Sequence, residues 1–154
     1  MMKSDEFVTN VRKSAEESFV AGLHCAESVV LALAKAQGIE SEMLPKVATA
    51  FGGGMSRTCG TCGALTGAIM GVGLALGRSK AEESVAPSYA ATQKLIKEFE
   101  QEFGSRECHV LLGCDLGTQE GQEMFREEGL RVQCTKFTGK AAEIAARIVS
   151  ESNS

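Results

Sequence analysis

The sequence predicts an all-α protein, a single-domain helical bundle of about six to eight helices over residues 1–154. Apolar residues keep a 3.6-residue rhythm through most of the chain, and no stretch alternates with period two for long enough to be a strand. Glycines fall where that rhythm stops, and no linker, repeat or low-complexity tract divides the 154 residues. A chain of this length buries roughly 68–70% of its unfolded surface, so a core needs no disulfides to hold it.

From Asp5, the positions Phe7, Val8, Val11, Ala15, Phe19 and Val20 line one helix face, and Gly22 ends the run. A second helix is expected from His24 to Gln37 through Ala26, Val29, Val30, Leu33 and Ala34, with Gly38 in the C′ position. Ser41 and Glu42 open a third through Leu44, Val47, Ala48 and Phe51; Pro45 sits in its first turn, where a missing N–H costs little. Gly52-Gly53-Gly54 breaks it, and the next helix starts near Thr61 or Cys62 and ends at Gly77. Ser84 to Phe103 follows, with Pro87 near its start, Leu95, Ile96, Phe99 and Phe103 on its apolar face, and Gly104 closing it. A short helix is expected around Arg106 to Leu112, then one from Thr118 to Glu128 interrupted by Gly121. Ala141 to Val149 forms the terminal helix with Thr138 as its cap, and residues 151–154 are expected to be a disordered tail.

Gly63, Gly67 and Gly71 recur every four residues and share one helix face. Glycine inside a helix costs about 1 kcal/mol against alanine, so three in register imply a neighbour pressed close. A bundle helix or a second subunit would serve, and the second makes a homodimer an expectation.

The formal net charge of -4 and pI near 5.3 argue against a nucleic-acid-binding surface. Aromatic residues at 5%, with no Trp, leave nothing for base-stacking platforms. The amino-terminal residues turn acidic at once and show no apolar signal region. The longest apolar run, Ala64 to Leu76, has 13 residues, short of the about 20 that a membrane span needs. A reducing cytoplasmic setting is therefore expected, where six cysteines read as redox thiols or metal ligands rather than structural disulfides. The plain alternative is a helical scaffold in which they are small buried hydrophobes.

Cys59 and Cys62 have Cys-x-x-Cys spacing, which puts two sulfurs at one helix start. Cys25 follows His24 at another, and Cys108 precedes His109 at a third. A helix N-terminus favours thiolate over thiol, and Cys62 is the first candidate for a thiolate of lowered pKa. The carboxylate runs Glu98 to Glu102 and Glu127-Glu128 read as solvated faces. No HExxH pattern occurs, and Gly52-Gly53-Gly54 lacks the Lys-Ser/Thr of a phosphate-binding loop.

Cys25-Ala26 at a helix start, Gly52-Gly53-Gly54-Met55, Thr61-Cys62-Gly63-Ala64-Leu65-Thr66-Gly67, Cys108 and Cys134 together resemble the C-GCAxxG-C-C family of redox-active proteins. The resemblance runs roughly from Ser18 to Ala146 and puts the four cysteines of the family name on Cys25, Cys62, Cys108 and Cys134. Here Gly63 follows Cys62 where the family name has glycine before cysteine, and Cys59 and Cys114 are additional. The resemblance implies redox activity and supplies no substrate. In one reading these thiols, with Cys59 as a neighbour, exchange with a redox partner protein or a small-molecule disulfide. In the other, Cys25, Cys62, Cys108 and Cys134 together ligate zinc or an iron–sulfur cluster.

Overall fold

The structure, a computed structural model, describes residues 2–152. Among the described residues eight right-handed α-helices follow one another: α1 (Met2–Val20), α2 (Cys25–Ala36), α3 (Met43–Ala48), α4 (Gly63–Leu76), α5 (Ala86–Phe103), α6 (Cys108–Leu112), α7 (Gln119–Glu127) and α8 (Arg131–Ser152). A 3-10 turn (Thr49–Phe51) and a helical turn of the opposite hand (Gly52–Arg57) connect α3 towards α4. Among the described residues the only β pairing is an isolated antiparallel bridge between Thr61 and Glu107. The all-α bundle holds.

Helix α4 is central, packing against α2, α8 and α5, while α1 lies along α8 and α2. Its apolar residues point almost all round, as befits a helix with protein on most sides. Leu65 and Val72 from α4 meet Leu33 and Val29 of α2 and Leu95 and Phe99 of α5, all 0–1% exposed. Small residues of α8 (Ala141, Ala142, Ala145 and Ala146, each 0% exposed) let these helices approach closely. Ion pairs at the margin tie α8 to its neighbours: Arg147 to Glu98 of α5 at 2.6 Å and Arg12 of α1 to Glu143 at 3.0 Å.

The glycine row accounts for the closest approach. A Cβ on Gly67 would lie 2.5 Å from the Ala26 carbonyl oxygen and 2.9 Å from its Cα; one on Gly63 would lie 2.6 Å from Cys25 Sγ. A Cβ on Gly71 would run into the Leu33 side chain. The neighbour is α2 of the same chain, so this face supplies no ground for a homodimer.

Helix ends follow the local chemistry. Gly38, at φ +75°, donates to Lys35 while Ile39 donates to Ala34 at 2.9 Å, the double bond of a Schellman motif. Thr118 caps α7 by accepting from the Gly121 N–H at 2.9 Å. The terminal helix differs from expectation. It begins at Arg131 rather than Ala141, and Thr138 is no cap but a fully buried residue in mid-helix, its hydroxyl without a partner. The polar stretch before it and the Thr138-Gly139 pair imitate a helix start, yet Gly139 is where the Glu16 side chain of α1 crosses α8. Of the expected tail, Glu151 and Ser152 are helical, and residues 153–154 lie outside the described residues.

A cysteine-walled cavity as candidate functional site

Three of the cysteines open helices. Cys25 is the first residue of α2, Cys62 is the N-cap of α4 and Cys108 is the first residue of α6. The loop before α4 is stapled to the loop before α6. Cys62 N–H donates to Arg106 at 2.7 Å, and Cys108 N–H donates to the Gly60 carbonyl at 2.9 Å. This pairing lays two helix starts, and their thiols, alongside each other. Cys134 comes from the first turn of α8 on the far side.

The turn Gly52–Arg57 closes the arrangement. Gly53, Gly54, Met55, Ser56 and Arg57 all have φ between 59° and 69°, a left-handed path that costs about 1–2 kcal/mol for each non-glycine residue. Hydrogen bonds hold it: Ser56 Oγ donates to Ala50 at 2.6 Å, Thr58 Oγ1 to Met55 at 2.8 Å and Gly60 N–H to Gly54 at 2.9 Å. Contact with α6 completes the restraint, since a Cβ on Gly54 would lie 2.5 Å from Cys108 Cβ. Strained backbone of this kind concentrates at functional sites.

These elements enclose a cavity of about 510 Å³ whose wall includes Cys25, Cys62, Cys108 and Cys134. Cys62 and Cys108 are buried at 6% and 8% exposure, and Cys25 and Cys134 are partly exposed. All six thiols of the chain are free. Cys59 does not line the cavity: at φ +62° it turns away, and its thiol hydrogen-bonds to the Asp115 carboxylate. Asp115 also accepts from the Gly117 N–H at 2.8 Å, which with the Cys59 contact holds its pKa down while the carboxylate pushes Cys59 up. Cys114 is buried outside the cavity lining. His24 stands on the exposed rim, and His109 is not part of the lining.

Burial decides the thiol electrostatics. Cys62 is pushed well above its ordinary value, chiefly by desolvation and then by its neighbours Cys25, Cys108 and Cys134. The lowered pKa expected of Cys62 is not found, because one N–H, that of Ala64, opposes a buried thiol facing three others. Cys108 and Cys134 are pushed up to about 12, again mainly by burial. Cys25 is also raised by burial, and the backbone N–H groups of Gly53, Ala26, Cys25 itself and Ala64 oppose that rise. Two helix starts and the left-handed turn therefore meet around one sulfur, with Gly63 leaving the room for it.

The surroundings of Cys25 were not visible in the sequence, because Gly53 and Ala64 reach it only through the packing of α2 against the left-handed turn and α4. Three rim residues were also missed: Arg57, Arg126 and Arg131 line the same cavity from three separate segments. As lone basic residues in unrelated stretches they carry no sequence signal. Four thiols suit zinc or an iron–sulfur cluster in kind. Among the described residues, however, no group of His, Cys, Asp or Glu side chains is arranged to hold a metal ion. Also among the described residues, no helix is long and apolar enough to cross a membrane.

No curated protein and no solved structure matched the chain. Residues 23–148 match the family described as "Putative redox-active protein (C_GCAxxG_C_C)", a span that contains all four cavity cysteines and the elements that position them. The chain belongs to the C_GCAxxG_C_C family of redox-active proteins.

Proposed function

We propose that the cavity carries out thiol–disulfide exchange, with Cys25 as the attacking thiol and Cys62 as the thiol that resolves the mixed disulfide. The observation that carries this reading is Cys25 in a cavity walled by three further thiols, its Sγ seated against Gly63 and with neighbouring backbone N–H groups opposing the rise of its pKa. Such donors stabilise the thiolate, which is the attacking form. Cys62 is the natural second thiol, since Cys25 Sγ packs against Gly63, the residue that follows it.

Cys25, once deprotonated, attacks one sulfur of a small disulfide. That S–S bond breaks, and the departing sulfur leaves as a thiolate that takes up a proton. Cys62 then loses its proton, attacks Cys25 Sγ and releases the second substrate thiol. Two electrons and two protons pass from the cysteine pair to the disulfide, and an external dithiol returns them. Cys108 and Cys134 stand beside this pair as a second dithiol. Because burial raises all four pKa values, exchange accelerates with pH through the alkaline range instead of levelling off near neutrality.

The test uses hydroxyethyl disulfide and the single serine variants. Cys62→Ser accumulates a mixed disulfide on Cys25, seen by mass spectrometry, and Cys25→Ser forms none. Exchange by Cys25→Ser at the wild-type rate contradicts the assignment. Stoichiometric zinc or iron with sulfide in the anaerobically purified protein favours the ligand role for the four cysteines instead.

A further inference from the structure

The rim of the cysteine cavity has a one-sided charge. Arg57, Arg126 and Arg131 are exposed and line it, and no Asp or Glu is among the residues that do. The chain as a whole carries net charge -4, so this clustering runs against its composition. Elsewhere arginines are engaged: Arg12 with Glu16 and Glu143, Arg147 with Glu98, Arg106 with Glu100. The side chains of Arg57 and Arg126 have no ion pair or hydrogen bond among the described residues. Arg131 is held in place, donating to the Phe19 carbonyl at 2.9 Å with its guanidinium 4.3 Å above the Phe19 ring.

We infer that the cavity takes a small disulfide bearing carboxylate groups, with the carboxylates on the arginine rim and the S–S bond against the buried thiols. This deepens the exchange reading and rests on it for the chemistry, though not for the binding. A volume of about 510 Å³ suits a small molecule, since such sites run to about 300–1,000 Å³. Guanidinium matches carboxylate by a planar pair of hydrogen bonds. Phe19, Phe125 and Leu116 also line the cavity and suit the aliphatic arms that join the two ends. The partial positive charge of two helix starts beside Cys25 adds to the same field.

Three disulfides of equal reactive chemistry and different charge test it: dithiodipropionate (anionic), hydroxyethyl disulfide (neutral) and cystamine (cationic). Each rate is divided by that of the same disulfide with a simple free thiol. The expected result is about tenfold preference for the anion over the cation, as electrostatic focusing at a cleft produces. The preference should shrink as salt rises. In the double variant Arg57→Gln/Arg126→Gln the preference of the anion over the cation falls to within about twofold. Equal normalised rates for all three with wild type overturn the inference. Should no disulfide react, the exchange reading fails by itself, and the unreactive thioether thiodipropionate decides the binding. A rise in wild-type melting temperature that the double variant lacks supports the anion site, and no rise in either refutes it.

Discussion

Replacing Gly67 by alanine should destabilise the protein, although alanine is the better helix former. The new methyl would lie 2.5 Å from the Ala26 carbonyl oxygen and 2.9 Å from Ala26 Cα. Both atoms are backbone of α2, so no side-chain rotation relieves the contact, and the two helices must separate. Overpacking of this kind costs about 1–3 kcal/mol, set against a gain of about 1 kcal/mol in helix propensity. The net loss is up to about 2 kcal/mol. For a chain of 154 residues each kcal/mol moves the melting point by about 2–4 °C, so a fall of up to about 8 °C is expected. Gly73, on the same helix, is the control: a Cβ there meets nothing within 4 Å. Gly73→Ala should therefore gain stability, by up to about 1 kcal/mol. Parallel urea and thermal unfolding of both variants makes the comparison. If Gly67→Ala is as stable as Gly73→Ala, α2 does not rest on α4 as described, and the position of Cys25 falls with it.

Thr138→Val should raise stability by about 1 kcal/mol, because the threonine hydroxyl is buried without a partner; a loss of that size in urea unfolding would restore its role as a cap. Gly54→Ala, at φ +69° and with its new methyl 2.5 Å from Cys108 Cβ, should cost about 2 kcal/mol or more by combined strain and overpacking. It should also speed alkylation of Cys108, and an unchanged labelling rate would show that the turn does not shield that thiol. Cys108 is raised from 9.0 to about 12, so its contribution to stability is complete below pH 9 and is lost as pH climbs towards 12. By pH 10.5 that loss is roughly 2 kcal/mol, measured as the difference in alkaline slope between wild type and Cys108→Ala; parallel slopes would contradict it.

Helices whose ends are written in local chemistry were legible from residues alone. Gly38, Gly104 and Thr118 do at the ends of α2, α5 and α7 what their types predict. The start of α8 was not, since Arg131 to Lys136 lack an apolar rhythm, and the contact made there, Arg131 on the Phe19 carbonyl and ring, is remote in sequence. Gly52-Gly53-Gly54 marked a break correctly, but nothing local announces that Met55, Ser56 and Arg57 continue it with positive φ. Those residues go against their own preference, and the grip of Ala50, Gly60 and Cys108 keeps them there.

The motif cysteines could be named in advance, and the cavity contains all four. Their relative character could not. A thiol at a helix start was expected to be acidic, yet the depth of Cys62 overrides the helix terminus, and more backbone N–H groups oppose the burial of Cys25 than that of Cys62. Cys-x-x-Cys spacing suggested that Cys59 joins Cys62; left-handed backbone at Cys59 sends its thiol to Asp115 instead. Spacing along a chain places two residues near each other without deciding which way either faces.

Mapping the disulfides formed under mild oxidation tests most directly whether Cys25, Cys62, Cys108 and Cys134 act as one centre. After substoichiometric oxidation and alkylation, peptide mass spectrometry should find cross-links only among those four, led by Cys25 to Cys62. Cys59 and Cys114 should remain alkylated as free thiols. A dominant Cys59–Cys62 link, or chains joined between molecules while the four cavity thiols stay reduced, would contradict the account.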